Sequence, residues 1–454
     1  MNDQNRPNET NETVEPASLL HRHPRLVTAL ACIVTGIVVF LATFFSITGY
    51  YGNEIEDYRA NYVRSSGKYD AGLLEAALGL LDADSIYDLP DRQELTETMI
   101  EAAIAAMGDR YGTFFTDVEH AAYSSSLSGE FVGIGVTLQK TDGGNGRIAL
   151  VHKGSPAAEI GLVAGDEIIE VDGVRFADGY DEAFDAIAGE AGSVARVTYL
   201  RAGVESTVEV TRAAVVKQTV VPRIETYGAS RIGYVYISGF DEHTYEQFCE
   251  AVSCLESEEA DVDALLFDLR NNGGGLLSEV AKVLAYLLPD GVIAYVDYKS
   301  DALTDYSITA KDGYVRMGSS SALYCEGGHR ILLPVAVLVN GKTASAAELF
   351  TASLRDWATP AFGSELDVSI VGTNTYGKGT VQTTYLLGSG NWLKMTIAHY
   401  NPPSNVNYDG EGITPDLVKE LTEDEEAISV TLRTQENDPQ LVAALALLDQ
   451  KVNP

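Results

Sequence analysis

The sequence predicts a mixed α/β protein with an N-terminal membrane anchor. Three observations support this prediction. An uncharged, apolar run covers residues 26–51. Short β-branched runs that are interrupted by glycine begin at Phe131, and strand and helix patterns alternate after Arg212. Because 454 residues are too many for one ordinary hydrophobic core, we expect two or three folded units.

The charge balance argues against one class of partner. The chain has 66 acidic and 31 basic side chains, and nearly all of the negative excess lies beyond residue 50. A strongly acidic body is soluble and is repelled by phosphate backbones. We therefore expect no nucleic acid partner.

The first element is the apolar run. Residues 26–51 carry no charge and exceed the ~20 residues that a helix needs to cross a bilayer. A secretory signal peptide is the alternative, but its apolar region is normally ~7–15 residues long and ends in a small-residue cleavage pattern, which is not evident here. Arg22 and Arg25 precede the run and acidic residues follow it, so residues 1–25 are predicted to be a cytoplasmic tail. The prediction is a single-pass protein of the cell membrane whose body is extracytoplasmic.

A helical region and a glycine-rich β module are predicted next. Residues 52–117 are expected to be helical, with apolar residues at helical spacing from Leu95 to Met107. The run FVGIGVTLQ from Phe131, the turn TDGGNG and the run RIALV predict a β-hairpin. A helix over residues 181–188 and a strand over residues 194–203 follow.

The second α/β region begins after Arg212. It contains the strand pattern RIGYVYISGF, a helix over residues 243–255 and the apolar strand ALLFDLR, which indicate a sheet covered by helices. Cys249 and Cys254 are five positions apart on that helix, so they point to different faces and are not expected to form a disulfide. A helix over residues 440–448 has an apolar face that could pack on the core or on a second copy in a homo-oligomer.

Four segments are candidates for chemistry. The loop at Gly133–Val136 can turn consecutive N–H groups toward one point and bind a carboxylate, although glycines there also suit a bulge. The segment Asp268–Gly275 follows an apolar strand, and its glycines can present N–H groups to an oxyanion or form an ordinary turn. No metal-ligand spacing such as CxxC or HExxH occurs, so we expect no metal site.

Ser345 and Lys378 lie in the other two segments. Ser345 follows an apolar strand and precedes a helix, with small neighbours that leave its hydroxyl accessible. The alternative is a helix cap, with Glu348 completing a capping box. Lys378 lies between two glycines, where burial would lower its pKa and provide a neutral amine as a base, although a lone lysine is usually a solvated charge. Gln382 could orient that amine or simply occupy a strand face.

A histidine base is a further alternative. Of the seven histidines, only His399 is near these segments in the sequence, and Asp268 is the one carboxylate that could orient it. A histidine that only occupies a strand face is the simpler interpretation.

These segments together resemble a known family. GEFVGIGV, GSPAAEIGL and GDEIIEVDG, within residues 118–214, are similar to a PDZ domain in the circularly permuted order of bacterial proteases. With DRYGTFF, FDLRNNGGG, TASAAE, GTNTYGKGTVQ and GEGITPD, the extracytoplasmic part resembles the C-terminal processing peptidases, also called tail-specific proteases. The resemblance implies a ClpP/crotonase-like α/β protease core over residues 215–454.

The resemblance also implies the roles of the candidate residues. Ser345 would be the nucleophile and Lys378 the general base. The other implied roles are Gln382 orienting Lys378, the amides of Gly274 and Ala346 forming the oxyanion hole, and the amides of Ile134, Gly135 and Val136 binding a peptide carboxylate. The expected enzyme cleaves proteins near C-termini that its PDZ domain binds, without any cofactor.

Two departures from the family and one alternative function remain. Gly273 replaces the usual proline, which would loosen the turn that presents Gly274, and the stretch from Asp356 to Val371 is longer than usual. An inactive PDZ scaffold that binds tails without cutting them is the alternative to an enzyme.

Overall fold

The structure is a computed structural model and describes residues 70–257, 259–299, 306–318, 322–324, 331–363, 365–388 and 390–454. The chain divides into one unit that ends at Leu95 and a second unit from Thr96 to Pro454. The predicted tail, residues 1–25, and the predicted anchor, residues 26–51, lie outside the described residues. Among the helices that are described, none is long and apolar enough to span a bilayer.

The helices are numbered here in chain order. They are α1 (Ala71–Asp84), α2 (Arg92–Met107), α3 (Asp117–Ser128), α4 (Pro156–Glu159), α5 (Tyr180–Asp185), α6 (Thr244–Leu255), α7 (Leu277–Leu287), α8 (Ala346–Trp357), α9 (Glu423–Ala427) and α10 (Pro439–Val452). Helix α2 confirms the predicted helix, in which Leu95, Met99 and Ile100 are partly buried and Ile104 is buried, whereas Met107 at its end is 69% exposed. Cys249 and Cys254 lie on α6 and do not form a disulfide with each other, as expected.

The glycine-rich module contains a small antiparallel sheet with its own core. Side chains such as Ile148, Ile168 and Val197 are completely buried in it. The strand order places β3 at an edge of the sheet, and β6 pairs only with β5. The strands in spatial order are β3 (Val136–Lys140), β4 (Gly146–Val151), β5 (Glu167–Val171), β7 (Val194–Arg201) and β8 (Val204–Thr211), with β6 at Val174–Arg175.

The predicted first strand of the hairpin is interrupted. Strand β2 (Glu130–Gly133) pairs with β9 (Ala213–Val216), and only β3 pairs with β4. The interruption falls at Ile134 and Gly135, where the φ angle of Gly135 is 87°. The predicted hairpin is therefore formed by β3 and β4, because a glycine in this conformation turns the chain out of the first ladder before β3 begins.

The largest core surrounds a sheet that is parallel from β11 onward. Its strands in spatial order are β10 (Val220–Tyr227), β11 (Ser230–Ile237), β12 (Ala264–Asp268), β17 (Val335–Val339), β18 (Val368–Gly372) and β21 (Leu417–Val418). Strands β12 and β17 are buried along their whole length, as both faces of a helix-covered parallel sheet require.

Helices cover both faces of this sheet. Helices α6, α7 and α8 contribute to one hydrophobic cluster, which includes Phe267 of β12 and Phe350 of α8. Helix α10 lies on the opposite face of the sheet. There it buries Leu441 and Leu445 against the strand residues that alternate with those of the first cluster. The apolar face of the last helix therefore packs on the core, which resolves the alternatives that the sequence left open.

A second, antiparallel sheet joins the site to the N-terminal part of the same unit. In spatial order it contains β1 (Thr113–Phe115), β20 (Asn391–Asn401), β13 (Gly291–Tyr298), β14 (Tyr306–Lys311), β15 (Tyr314–Met317) and β16 (Ala322–Tyr324), and β19 (Thr380–Gly388) also pairs with β20. Because Thr113 pairs with Lys394 and Gln382 pairs with Thr396, the segment at Asp109–Phe115 lies next to the strand that follows Lys378.

Candidate active site

The candidate residues converge at one edge of the parallel sheet. The loop at Asn271–Gly275 follows β12, Ser345 follows β17, and Lys378 follows β18. These three strands are consecutive neighbours in the sheet, and their carboxyl ends point the same way. Ligand and catalytic sites of open parallel sheets lie outside this edge. The topology therefore brings together segments that are about a hundred residues apart in the chain.

Ser345 occupies a strained turn between β17 and α8. Its φ and ψ angles are 57° and −121°, a conformation that non-glycine residues rarely adopt and that costs about 1–3 kcal/mol. Gly274 lies against this turn, because a Cβ atom on Gly274 would be 2.7 Å from the Cβ of Ser345 and 3.0 Å from the nitrogen of Ala346. Only glycine fits there. The strain and the close approach indicate a functional turn rather than a simple helix cap.

Glu348 connects the Ser345 turn to the Lys378 loop. Its carboxylate is completely buried and accepts a hydrogen bond of 2.9 Å from the Ser345 N–H, as a capping box requires. It also accepts hydrogen bonds from the Thr375 hydroxyl (2.5 Å), the Gly377 N–H (2.7 Å) and the Lys378 N–H (2.8 Å). The sequence indicated only the capping contact, so the larger role of Glu348 was missed.

Replacing Glu348 with alanine is expected to destabilise the core by more than about 3 kcal/mol, because it leaves several buried donors without an acceptor. The stability of the Glu348→Gln variant should lie between those of Glu348→Ala and wild type, since an amide keeps one acceptor oxygen but turns an NH₂ group toward N–H donors. Urea unfolding followed by tryptophan fluorescence measures both variants, because Trp357 and Trp392 are the two tryptophans of the chain.

Glu425 provides a matched control for this prediction. It is also the glutamate of a capping box, at the start of α9, but its carboxylate is only partly buried and, within the described part of the chain, accepts a hydrogen bond only from the local N–H of Thr422, at 2.8 Å. Glu425→Ala should cost about 1 kcal/mol or less. Equal costs for the two alanine variants would show that Glu348 does not connect the two loops.

The Lys378 side chain lies in a partly buried, aromatic environment. Its Nζ atom is 4.5 Å from the ring centroid of Tyr111. Burial lowers the pKa of Lys378 below the usual value, and the nearby charge of Lys394 lowers it further, whereas the carboxylates of Glu348, Asp109 and Asp409 oppose this. Within the described residues, the ammonium group has no hydrogen bond and the Ser345 hydroxyl is not its partner. The pKa shift is in the direction that a general base requires.

Tyr400 links the two predicted catalytic residues. Its buried hydroxyl donates a 2.8 Å hydrogen bond to the Lys378 carbonyl and interacts with the Ser345 side chain. Sequence reasoning considered this strand only for His399, which is exposed, whereas its neighbour Tyr400 is buried on the opposite face of β20. Asp268 is not available to a histidine, because it binds Arg270 and accepts a 2.7 Å hydrogen bond from Tyr234. The structure thus argues against the histidine alternative.

Gln382 lies on β19, four residues after Lys378, but it does not bind the ammonium group of Lys378. Its Nε2 atom donates to the hydroxyls of Thr380 (3.0 Å) and Thr396 (3.2 Å). Thr396 in turn donates to the Asp109 carboxylate through both its N–H and its hydroxyl, each at 2.8 Å. Gln382 therefore belongs to a polar network beside Lys378, and its role as the orienting residue stays a prediction.

The two predicted oxyanion donors differ in this structure. The Gly274 N–H donates a 2.8 Å hydrogen bond to the Asn272 side chain, whose amide group donates to the Ile237 carbonyl at 2.9 Å. In the part of the chain that is described, no acceptor faces the N–H of Ala346. One donor is therefore free, and the other must leave Asn272 before it can bind an oxyanion.

The predicted carboxylate loop precedes the edge strand β3. A Cβ atom on Gly135 would lie 2.1 Å from that of Ser155, so only glycine fits at this φ > 0 position. The carbonyls of Ile134 and Gly135 accept hydrogen bonds from the N–H groups of Ala157 and His152, at 2.8 and 3.0 Å. The N–H groups of Ile134 and Gly135 have no acceptor among the described residues. Val136 begins β3. Because β3 is the edge strand of this sheet, a further strand can pair with its outer side.

Comparison with known proteins agrees with this architecture. Residues 231–419 match the sequence model of peptidase family S41, and residues 147–201 match that of the PDZ domain. A crystal structure that is named as an S41 protease from Bacteroides fragilis has a TM-score of 0.52 at 18% identity, and the match covers 81% of this chain and 93% of that one. This last likeness concerns the fold alone.

Curated relatives are similar over most of the chain. The chain is 30% identical over 359 residues to a carboxy-terminal-processing protease of Bartonella bacilliformis, a match that covers 77% of this chain and 75% of that protein. It is 28% identical over 340 residues to the carboxy-terminal processing protease CtpA of Bacillus subtilis, and the match spans 66% of that relative, slightly less than two thirds of its length. These matches confirm the predicted family, and the chain belongs to peptidase family S41.

Proposed function

We propose that this protein is a membrane-anchored serine endopeptidase that cleaves polypeptides near their C-termini outside the cytoplasm. Ser345 is the nucleophile and Lys378 the general base. The observation that carries this proposal is the junction at Glu348, where one buried carboxylate holds the main chain of both residues. A protein that only binds tails needs no such junction between a strained serine and a lysine of lowered pKa.

The chemistry follows from the groups at this junction. Neutral Lys378 accepts the proton of the Ser345 hydroxyl as the oxygen attacks the peptide carbonyl, and main-chain N–H groups bind the oxyanion. Lys378 then protonates the leaving amine, and water hydrolyses the acyl-enzyme. For this reaction the Lys378 side chain turns from the Tyr111 ring toward Ser345, and Gly274 exchanges its Asn272 acceptor for the substrate oxygen. No cofactor takes part.

The PDZ domain supplies the selection of substrates in this proposal. The unpaired N–H groups of Ile134 and Gly135, with that of Val136, bind the terminal carboxylate of a polypeptide. The preceding residues add as a strand to the free edge of β3. Bound in this way, a tail is retained long enough for the chain before it to reach Ser345.

The membrane location is part of the same proposal. The apolar run at residues 26–51 supports a single-pass anchor, and the basic residues before it support a cytoplasmic tail at residues 1–25. Polypeptides that are secreted or that protrude from the membrane are then the accessible substrates.

The test uses the full chain in detergent with an unfolded protein that ends in an apolar tail. We expect cleavage near the tail, detected by mass spectrometry, and slower cleavage of the same substrate with an amidated C-terminus, since an amide lacks the charge that the loop binds. A serine-directed covalent inhibitor should modify Ser345. Tail binding without cleavage would favour the inactive PDZ scaffold, and modification of another residue would overturn the assignment of the nucleophile.

The pH dependence of hydrolysis tests the base. Only the neutral amine of Lys378 accepts a proton, so kcat/KM should rise as the pH increases through the lowered pKa of Lys378. Lys394 contributes to this lowering, and its Nζ atom lies 5.0 Å from the ring centroid of Tyr123. In Lys394→Met the pKa of Lys378 should rise, and the ascending limb should move to higher pH. An unmoved limb would show that Lys378 is not the titrating base.

A further inference from the structure

Arg270 is completely buried at the start of the glycine loop that follows β12. Its guanidinium binds the carboxylate of Asp268, two residues before it, and that of Asp438, 168 positions further along the chain. The Asp268 carboxylate accepts hydrogen bonds from Nε at 2.9 and 3.1 Å and from Nη2 at 2.6 Å. The Asp438 carboxylate accepts from Nη1 at 2.9 Å and lies 2.7 Å from Nη2. Gln440 Oε1 accepts a further hydrogen bond from Nη1 at 3.1 Å.

Asp438 connects this arginine to helix α10 on one face of the sheet. It caps α10 by accepting hydrogen bonds of 3.1 Å from the N–H groups of Gln440 and Leu441. Helix α10 is held in place by the leucines that it buries against the sheet, including Leu445 and Leu448. Asp438 also lies beyond residues 231–419, the part of the chain that matches the peptidase family.

Hydrogen bonds hold the loop that Arg270 begins on both sides: the Asn271 N–H donates to the Asn340 side chain at 3.0 Å, and the carbonyls of Asn272 and Gly274 accept from the N–H groups of Ala344 (2.9 Å) and Phe240 (3.0 Å). Asn271 and the glycines that follow adopt φ angles of 63° at Asn271, 103° at Gly274 and 142° at Gly275. Gly273 lacks the ring with which a proline would restrict the turn. Oxyanion donors must be placed to within about 0.5 Å to be effective. Arg270 adds to these hydrogen bonds an ionic anchor at the first residue of the loop.

The position of Arg270 depends on the negative charge of Asp438, because a second arginine is nearby. Arg433 Nη1 lies 3.9 Å from the same Asp438 carboxylate, and both arginines are buried. Without the negative charge of Asp438, two buried guanidinium groups face each other with Asp268 as the near anion. Their repulsion would displace Arg270 and the loop that continues from it.

We infer that Asp438 is a positioning residue for the catalytic centre: by fixing Arg270 it holds the glycine loop against the Ser345 turn, where the Gly274 N–H can exchange its Asn272 acceptor for the substrate oxygen. This inference rests on the proposed peptidase function. It makes the C-terminal helix a part of the active-site support rather than a cover of the hydrophobic core alone.

The decisive variant is Asp438→Asn, which keeps the size and one acceptor oxygen but removes the charge. We expect kcat to fall about 10- to 100-fold with KM nearly unchanged, because a displaced oxyanion donor affects the transition state more than substrate binding. The affinity for a peptide boronic acid, whose tetrahedral adduct needs the same N–H groups, should fall in parallel. Binding of a tail peptide to the PDZ domain should stay the same.

Asp449→Asn is the matched control. Asp449 lies on the same helix but binds Ser230 (2.7 Å) and the N–H of Ala229 (3.3 Å), far along α10 from Asp438. It should change stability without changing kcat. Active Asp438→Asn enzyme with wild-type kcat, or an equal fall of kcat in both variants, would overturn the inference. If the wild-type protein itself does not cleave, the proposed function fails instead.

A milder variant keeps the test decisive if Asp438→Asn does not fold. Gln440→Ala removes the neutral second acceptor of Arg270 Nη1, together with the 2.6 Å hydrogen bond that Gln440 Nε2 donates to the Lys419 carbonyl. We expect a fall in kcat of about 3- to 10-fold, again with a parallel loss of boronic acid affinity. Unchanged kcat and unchanged inhibitor affinity in a folded Gln440→Ala variant would contradict the inference.

Discussion

Replacing Ser345 with alanine is expected to reduce kcat for peptide hydrolysis by about 10⁴-fold or more, while tail binding stays intact. In serine peptidases the nucleophile and base act as one unit, so losing the nucleophile removes nearly all of the covalent pathway. Ser345 is well placed for this role, since it lies at a strained turn before a helix and next to the free N–H of Ala346. Hydrolysis of a tail-bearing protein, measured with purified full-length variants, tests this expectation.

Two controls make this result specific. Ser353 lies on the same helix, but its hydroxyl donates a 3.1 Å hydrogen bond to the Ile293 carbonyl inside the core. Ser353→Ala should therefore change stability rather than the chemical step. A tail peptide should bind Ser345→Ala as tightly as wild type, because the carboxylate loop is on another domain. Retained hydrolysis in Ser345→Ala would refute the proposed nucleophile.

The segments of the site could be predicted from the sequence because each is a local pattern. The apolar strands β12 and β17 are each followed by a turn that contains glycine, and parallel strands of this kind place their carboxyl ends at one edge of a sheet. Ser345 follows β17 by six residues, whereas Lys378 was predicted from the glycines on either side of it. The structure adds the order of the strands, which makes the three segments neighbours.

The contacts between segments could not be predicted in this way. Glu348 binds groups 27 to 30 positions further along the chain, and Asp438 binds Arg270 across 168 positions. No local spacing encodes such contacts, because they depend on which strands are adjacent and on how α10 packs. The same holds for Tyr400, whose alternation with His399 indicates opposite faces but not which face meets Ser345.

The extent of the predicted hairpin depends on one glycine in the sequence. The run from Phe131 alternates like a single strand, but Gly135 adopts a φ angle of 87° and divides it into β2 and β3. The glycine was interpreted as part of a carboxylate nest, and a nest cannot continue a regular ladder. The loop and the interrupted strand are therefore one feature.

Replacing Lys378 with alanine should lower kcat/KM by about 10³-fold and abolish the rise of activity with pH. General bases contribute about 10²- to 10⁴-fold, and the lowered pKa of Lys378 provides the neutral amine that this role requires. His399→Ala should have little effect, because His399 is exposed on the opposite face of β20 from Tyr400. Full activity of Lys378→Ala, together with loss of activity in His399→Ala, would reverse the assignment.

The Lys378→Arg variant separates basicity from charge. Arginine keeps a cation that can lie over the Tyr111 ring, but it does not lose its proton in proteins. If Lys378 acts as a base, Lys378→Arg should be as inactive as Lys378→Ala at every pH. If the site needs only a positive charge beside Ser345, Lys378→Arg should keep most of its activity, and the Ser345–Lys378 mechanism would be wrong. The pH profiles of the two variants, compared at equal folded fractions, therefore decide what the lysine does.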